Sequence, residues 1–181
     1  MTGPTRALDV PIVRTERLVL RGFTADDLEP YHALFNDPEV TRYLPIKGEP
    51  VGMDRVEQAV ARVEEHWRDH GFGIWAVADA PSDRFLGQCG LNVVEEAGET
   101  EVLYELARDA WGRGLATEAA AAAVRFGFDA AELRRIVAYA VAENTASTRV
   151  MEKVGMQREA QGIEIFGLTC DRYAIEAAIS R

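Results

Sequence analysis

The stretch Trp111-Gly112-Arg113-Gly114-Leu115-Ala116-Thr117 constrains this chain more than any other. It places glycines, the residues freest to bend, directly before an alanine-rich run that ends at Val124 and is built of strong helix formers. The residues before it, "EVLYELA", read as a strand, and Thr117 to Phe128 reads as a helix. The glycines therefore make a strand-to-helix turn. The first amides of a helix have no internal partners and point outward. The helix dipole adds positive potential at that end, and glycine lets a ligand come close to the main chain. This is the geometry of a phosphate site, to which Arg113 adds a formal charge. On these residues alone a plain structural turn stays open as well. The Walker A pattern G-x-x-x-x-G-K-[ST] is absent. Only half of the dinucleotide fingerprint is present, with Thr117 where the third glycine would stand. Glu143 after the next strand keeps a nicotinamide oxidoreductase open, and the strand order described below argues against it.

The 181 residues suit one domain with a sizeable core. We expect it over residues 13–181, with residues 1–12 as an N-terminal extension. Hydrophobic residues make up 48% and charged residues 28%, which excludes large-scale disorder. The apolar run Ala119 to Val124, like every other in the chain, is far short of the roughly 20 residues of a membrane span. The opening MTGPTRALDVPIV has no sustained apolar core and no cleavage site, so the expectation is a cytoplasmic protein without a membrane partner. A formal net charge of −10 argues against a nucleic-acid partner and suits a cationic one, such as an amine. Cys89 and Cys170 lie outside any C-x-x-C pair and read as reduced, buried thiols. His66 and His70 have the spacing of H-E-x-x-H, but Trp67 stands where the glutamate is required, so no metal is expected. Arg134-Arg135 reads as solvated surface.

The order of elements sets the fold class. "ERLVLRGF" alternates as a strand. Thr24 is the expected N-cap of a helix that ends near Asp37-Pro38. Val56, Val60, Val63 and Trp67 fall on one face of a helix over 53–70, which Gly71 ends. "GIWAVAD", "RFLGQCGLNVV" and "EVLYELA" are three strands, with "EEAGETE" as a solvated acidic turn. "RRIVAYAV" is a strand and "NTASTRVMEKVG" a helix. Two strands near Met156 to Ile165 and Arg172 to Ile179 close the chain. This is a mixed α/β (α+β) domain with an antiparallel meander, not a doubly wound sheet.

The motifs "YELARDAWGRGLATEA" and "LRRIVAYAVAENTASTRVMEKVGM" together resemble the GNAT superfamily of N-acetyltransferases. "TERLVLRGF", "NDPEVTRYLP" and "GIWAV" resemble its branch of ribosomal-protein N-terminal acetyltransferases, and the likeness runs from about Val13 to Tyr173. It implies a mostly antiparallel twisted sheet flanked by helices, with a splayed central strand pair that takes the acyl-CoA arm. It implies acetyl-CoA as donor and a primary amine, on a protein N-terminus or a small molecule, as acceptor. A homodimer is in keeping with it. The family's pyrophosphate motif falls on Trp111-Gly112-Arg113-Gly114-Leu115-Ala116, with Trp in place of Gln or Arg, and contacts are implied from Gly112 through Thr117. The pantetheine arm would pair with the main chain of Tyr104, Glu105 and Leu106, with the Leu106 N–H as oxyanion donor.

Many relatives protonate the leaving thiolate with a tyrosine in the late helix. Here Met151 stands in its place, and a thioether donates no proton. Ser147 is the expected substitute acid, though it also reads as a surface serine. Asn144 would bond the pantetheine arm, and it equally reads as a helix N-cap. Glu105 is the expected base, unless alternation turns it to solvent. Asp37, Glu39, Arg42 and Tyr43 fall in the loop that borders the acceptor in relatives, and Trp75 reads as a pocket wall or as core. The missing tyrosine keeps one rival open, a non-catalytic acyl-CoA-binding module.

Overall fold

A computed structural model describes residues 9–178. Its strands are β1 (Val13–Arg14), β2 (Leu18–Arg21), β3 (Ile74–Asp79), β4 (Phe85–Val94), β5 (Glu99–Leu106), β6 (Arg135–Ala140), β7 (Gln157–Ile165) and β8 (Leu168–Glu176). Its helices are α1 (Leu28–Phe35), α2 (Met53–His70), α3 (Leu115–Asp129) and α4 (Thr145–Val154). The strands form one sheet in the order β1-β2-β3-β4-β5-β6-β8-β7. Every neighbouring pair is antiparallel except β5–β6, which is parallel. This is the mixed, mostly antiparallel α/β sheet that the element order implied.

Period-two alternation gives the sheet two different faces. Trp75, Cys89 and Tyr104 sit opposite one another across β3, β4 and β5, as do Ala76, Gln88 and Glu105. The first set faces the main core with α3 and α4, and the second faces α1 and the start of α2 through Tyr31, Leu34, Val56 and Phe85. The alanines of α3 have a packing reason as well as a propensity reason. Ala119, Ala120, Ala122 and Ala123 are buried, and a side chain at Gly127 would meet Ile136 and Leu91, so α3 lies close on the sheet.

Local chemistry sets the element ends. Gly71, at φ 72°, closes α2 by donating its N–H to Trp67 C=O at 3.0 Å. Thr24 and Asp27 form a capping box over a short 3-10 turn, so the regular helix begins at Leu28 rather than at Thr24. The stretch before Val13, expected to be an extension, is fastened down over its described part. Val10 packs on the core, and Pro11 C=O accepts the Trp75 indole N–H at 2.8 Å.

Three expectations are corrected. The acidic turn is confined to the β4–β5 tip, because Glu99 and Glu101 belong to β5 and Glu101 is buried. Arg135 is not a lone solvated base, since it pairs with Glu99, Glu159 and Glu176. The last strand starts at Leu168, four residues before the expected Arg172, because Phe166-Gly167 makes a tight turn, both at positive φ. His66 ties α2 to the sheet: Nδ1 bonds Phe72 C=O at 2.9 Å, and Nε2 accepts the Val93 N–H at 3.1 Å. Both thiols are free and buried.

Gly90 lies in β4 where a methyl group would collide with the main chain of Gly73 and Ile74. Gly90→Ala is therefore expected to cost about 1–3 kcal/mol, the usual penalty of overpacking, read as a lower urea midpoint at unchanged slope. A midpoint equal to the parent's would show that this approach is looser than described.

Candidate active site

β5 and β6 pair at one point, Glu101 with Val137. The two strands then part, β5 running on to Leu106 and β6 to Ala140. The antiparallel ladder on the other side of β5 says which groups this exposes. Ala107 N–H donates to Leu86 C=O at 2.8 Å, and Leu106 sits opposite Gly87. Hydrogen-bonded and non-hydrogen-bonded pairs alternate in such a ladder. The main-chain groups of Val102, Tyr104 and Leu106 therefore point away from β4, toward β6. Val102 still lies beside the Glu101–Val137 pairing, whereas Tyr104 and Leu106 face the gap. The Leu106 carbonyl is taken by the Trp111 indole N–H at 2.7 Å, which leaves its N–H turned to the gap. The closed end is tied by Glu99, which accepts from Tyr139 OH at 2.9 Å and pairs with Arg135 and Arg172.

The N-terminus of α3 opens beside the gap. Gly112 and Gly114 stand at φ 71° and 77°, in the left-handed region that favours glycine. The helix begins at Leu115, two residues earlier than expected, so the Leu115, Ala116 and Thr117 amides form its unpaired first turn. The Leu115 side chain is buried and the Arg113 side chain is exposed. Arg17 clamps the turn by donating to Arg113 C=O at 2.8 Å and pairing with Glu118 at 2.6 Å. Burial would push the Glu118 carboxyl up, but bonds from Thr15 and Arg17 outweigh it and hold the group below the usual range.

The two faces of β5 carry different chemistry. On one, Glu105 accepts from Gln88 Nε2 at 2.8 Å, and Gln88 Oε1 accepts from Tyr31 OH at 2.8 Å. Burial raises Glu105 to about 7, partly offset by the Gln88 bond. Glu101, on the same face, is also raised to about 7 by burial, with Asn92 opposing and Glu105 adding to the shift. On the other face, Tyr104 OH lies 3.0 Å from both the carbonyl oxygen and the Oγ of Ser147. Asn144 caps α4, its Oδ1 accepting the Ser147 N–H at 3.2 Å. Met151, where the resemblance implied a tyrosine in relatives, is buried at 2% exposure and belongs to the core.

Of the loop residues expected to border the acceptor, Asp37 contacts the segment that follows β5. Asp37 accepts from Arg108 Nε at 2.7 Å, Glu39 pairs with Arg42 at 3.5 Å, and the Arg42 guanidinium lies 5.6 Å from the Tyr43 ring centre. Trp75 is corrected: at 0% exposure, edge-on to Trp67 and Phe126 at 4.9 and 5.0 Å, it is core and walls no pocket. The sequence reading missed Gln88, Tyr31, Arg17 and the Tyr104 side chain. Cross-strand register could have found Gln88. Nothing local links Tyr104 to Ser147, 43 residues away.

The sequence model of the acetyltransferase (GNAT) domain matches residues 17–157. The chain is 31% identical over 153 residues to the uncharacterized N-acetyltransferase YoaA of Bacillus subtilis strain 168, covering 82% of this chain and 84% of that one. A GNAT-family acetyltransferase from Bacillus anthracis superposes with a TM-score of 0.77 at 26% identity, covering 92% of this chain and 98% of that one. The spermidine N-acetyltransferase of Vibrio cholerae, solved with CoA and spermine, shares the fold at a TM-score of 0.73 and 22% identity, covering 90% and 96%. With the splayed strands and the glycine-led helix in place, these matches make the chain a member of the GNAT family, an acetyl-CoA-dependent N-acetyltransferase.

Proposed function

We propose that this enzyme moves the acetyl group directly to a cationic primary amine, on a protein N-terminus or a small molecule, in the gap between β5 and β6, as a member of the ribosomal-protein branch. The single β5–β6 pairing carries the reading. It leaves the main-chain groups of Tyr104 and Leu106 without a strand partner, and an extended amide-bearing arm supplies one. Acetyl-CoA brings the activated thioester, and residues of this chain do the rest. The amides from Gly112 through Thr117 and the α3 dipole hold the pyrophosphate. Asn144 keeps its amide group for the pantetheine arm while its oxygen caps α4. The Leu106 N–H faces the carbonyl oxygen where negative charge develops.

Glu105 takes the proton of the attacking ammonium. A carboxyl at about 7 is matched to that task near neutral pH. Ser147, on the opposite face, returns a proton to the leaving thiolate. Asp37, Glu39 and Tyr43 border the acceptor, and their carboxylates with those of Glu101 and Glu105 favour a cation.

CoA release from acetyl-CoA, followed with a thiol-reactive dye across amines and N-terminal peptides, tests the proposal. Release with one class of acceptor supports it, and no release with any amine or peptide overturns it. Gly114→Val is expected to weaken acetyl-CoA binding at least tenfold by calorimetry, because valine resists φ 77°; unchanged affinity refutes the pyrophosphate placement. Ser147→Ala is expected to lower kcat with acetyl-CoA affinity nearly unchanged, and a parental rate removes its role.

Glu105→Gln separates chemistry from stability. It should lower kcat about 100- to 10,000-fold. Its folded pKa of about 7 lies above the ordinary value of 4.5, so the charged carboxyl costs stability in the fold. The variant's gain in Tm should grow from about pH 4.5 to pH 7 and level off above. A Tm difference that does not change with pH would mean the carboxylate is fully solvated.

A further inference from the structure

We infer that the Tyr104 phenol supplies the proton that Ser147 hands to the leaving thiolate, so that two hydroxyls from different elements act as one acid. The inference rests on the reading of Ser147 as the thiolate's proton donor. It starts from a chemical difficulty. A serine hydroxyl is a far weaker acid than a thiol, whose pKa is about 8.5, so serine alone would have to become an alkoxide. A phenol, ordinarily at about 10, is a stronger acid than serine, and the Ser147 hydrogen bond offsets part of the rise that burial gives Tyr104. The late-helix tyrosine that solves this in relatives is replaced here by buried Met151. The sheet brings a phenol to the same helix from the other side, on β5.

The geometry fits a relay. Tyr104 OH has one proton and two acceptors at equal distance, Ser147 C=O and Ser147 Oγ, both at 3.0 Å. When the phenol donates to the carbonyl, its oxygen can accept the serine proton. When it donates to Oγ, the serine proton is free to turn into the gap. Rotation of one O–H switches between these states without moving a heavy atom. The ring packs against the main core, and the Asn144 cap fixes the serine backbone, so both oxygens are held. Burial raises the phenol above its ordinary value, with Cys89 and Glu105 adding and Ser147 opposing, so the group stays protonated near neutral pH.

The step balances. The amine nitrogen forms its bond to the acetyl carbon, and the carbon–sulfur bond breaks. The sulfur takes the Ser147 hydroxyl proton as Ser147 Oγ takes the Tyr104 proton. The ammonium gives one proton to Glu105 before it attacks, and the nitrogen's second proton passes to water in the open gap as the amide forms. After the thiol leaves, Tyr104 regains a proton from that water, and Glu105 releases its own. The nitrogen has then lost two protons, the sulfur has gained one, and one is released to solvent.

The test compares Tyr104→Phe, Ser147→Ala and the double variant, each checked by circular dichroism and for acetyl-CoA affinity by calorimetry. Both singles are expected to lose about 100-fold in kcat at unchanged affinity, and the double to lose no more, because members of one relay are non-additive. Losses that multiply overturn the relay. A loss in Ser147→Ala alone also overturns it and leaves serine as the acid. A loss in Tyr104→Phe alone overturns both the relay and the serine reading, and no loss in either does the same.

A second readout needs no turnover. With 3-fluorotyrosine at position 104 of the free protein, the fluorine resonance should titrate at higher pH once Ser147→Ala removes the opposing hydrogen bond. An unmoved titration shows the two hydroxyls uncoupled and overturns the relay.

Discussion

A parallel strand pair that touches at one place is the constraint on which this structure depends. β5 and β6 join at Glu101–Val137 and then part, leaving main-chain donors and acceptors of β5 turned toward open space. Unpaired polar backbone inside a fold is costly, on the order of 1–3 kcal/mol for each group that loses water as well. The surroundings keep the gap from collapsing. Glu99 knots the closed end to Arg135, Tyr139 and Arg172. Trp111 satisfies the Leu106 carbonyl at the open end. Small residues seat α3 close to the sheet, so its N-terminus stays beside the mouth of the gap.

The same strand that borders the gap also separates two kinds of proton chemistry. Tyr104 and Glu105 are neighbours in sequence, and alternation sends them to opposite faces. The carboxylate accepts from Gln88, which in turn accepts from Tyr31, and burial lifts it to about 7. The phenol ends against a helix start, among core side chains. On opposite sides of one strand the two groups keep separate surroundings.

An acidic residue in the first turn of α3 would oppose any anion at that helix start, and Glu118 stands there. Arg17 resolves the conflict. It neutralises Glu118, and the same guanidinium holds the Arg113 carbonyl, so one side chain corrects the charge and braces the glycine turn. The residue that leads into β2 is thereby tied to a loop that the strand never pairs with.

Sequence by itself determined the element order, the α2 boundaries and the strand-to-helix turn at Gly112 and Gly114. These follow from periodicity, capping and φ preferences, which act over a few residues. Residue type and the family resemblance also offered Glu105, Asn144 and Ser147 as candidates. The sequence misjudged Arg135, placed the last strand late and left Trp75 between core and pocket, because ion-pair partners, turn geometry and burial come from distant segments. Only the tertiary structure decided that Gln88 and Tyr31 stand behind Glu105. It alone brought Tyr104 to Ser147, 43 residues apart in the chain and 3.0 Å apart in space. The physical reason is that sheet register and helix docking set side-chain neighbours across the fold, and no local preference encodes which strands will meet which helix.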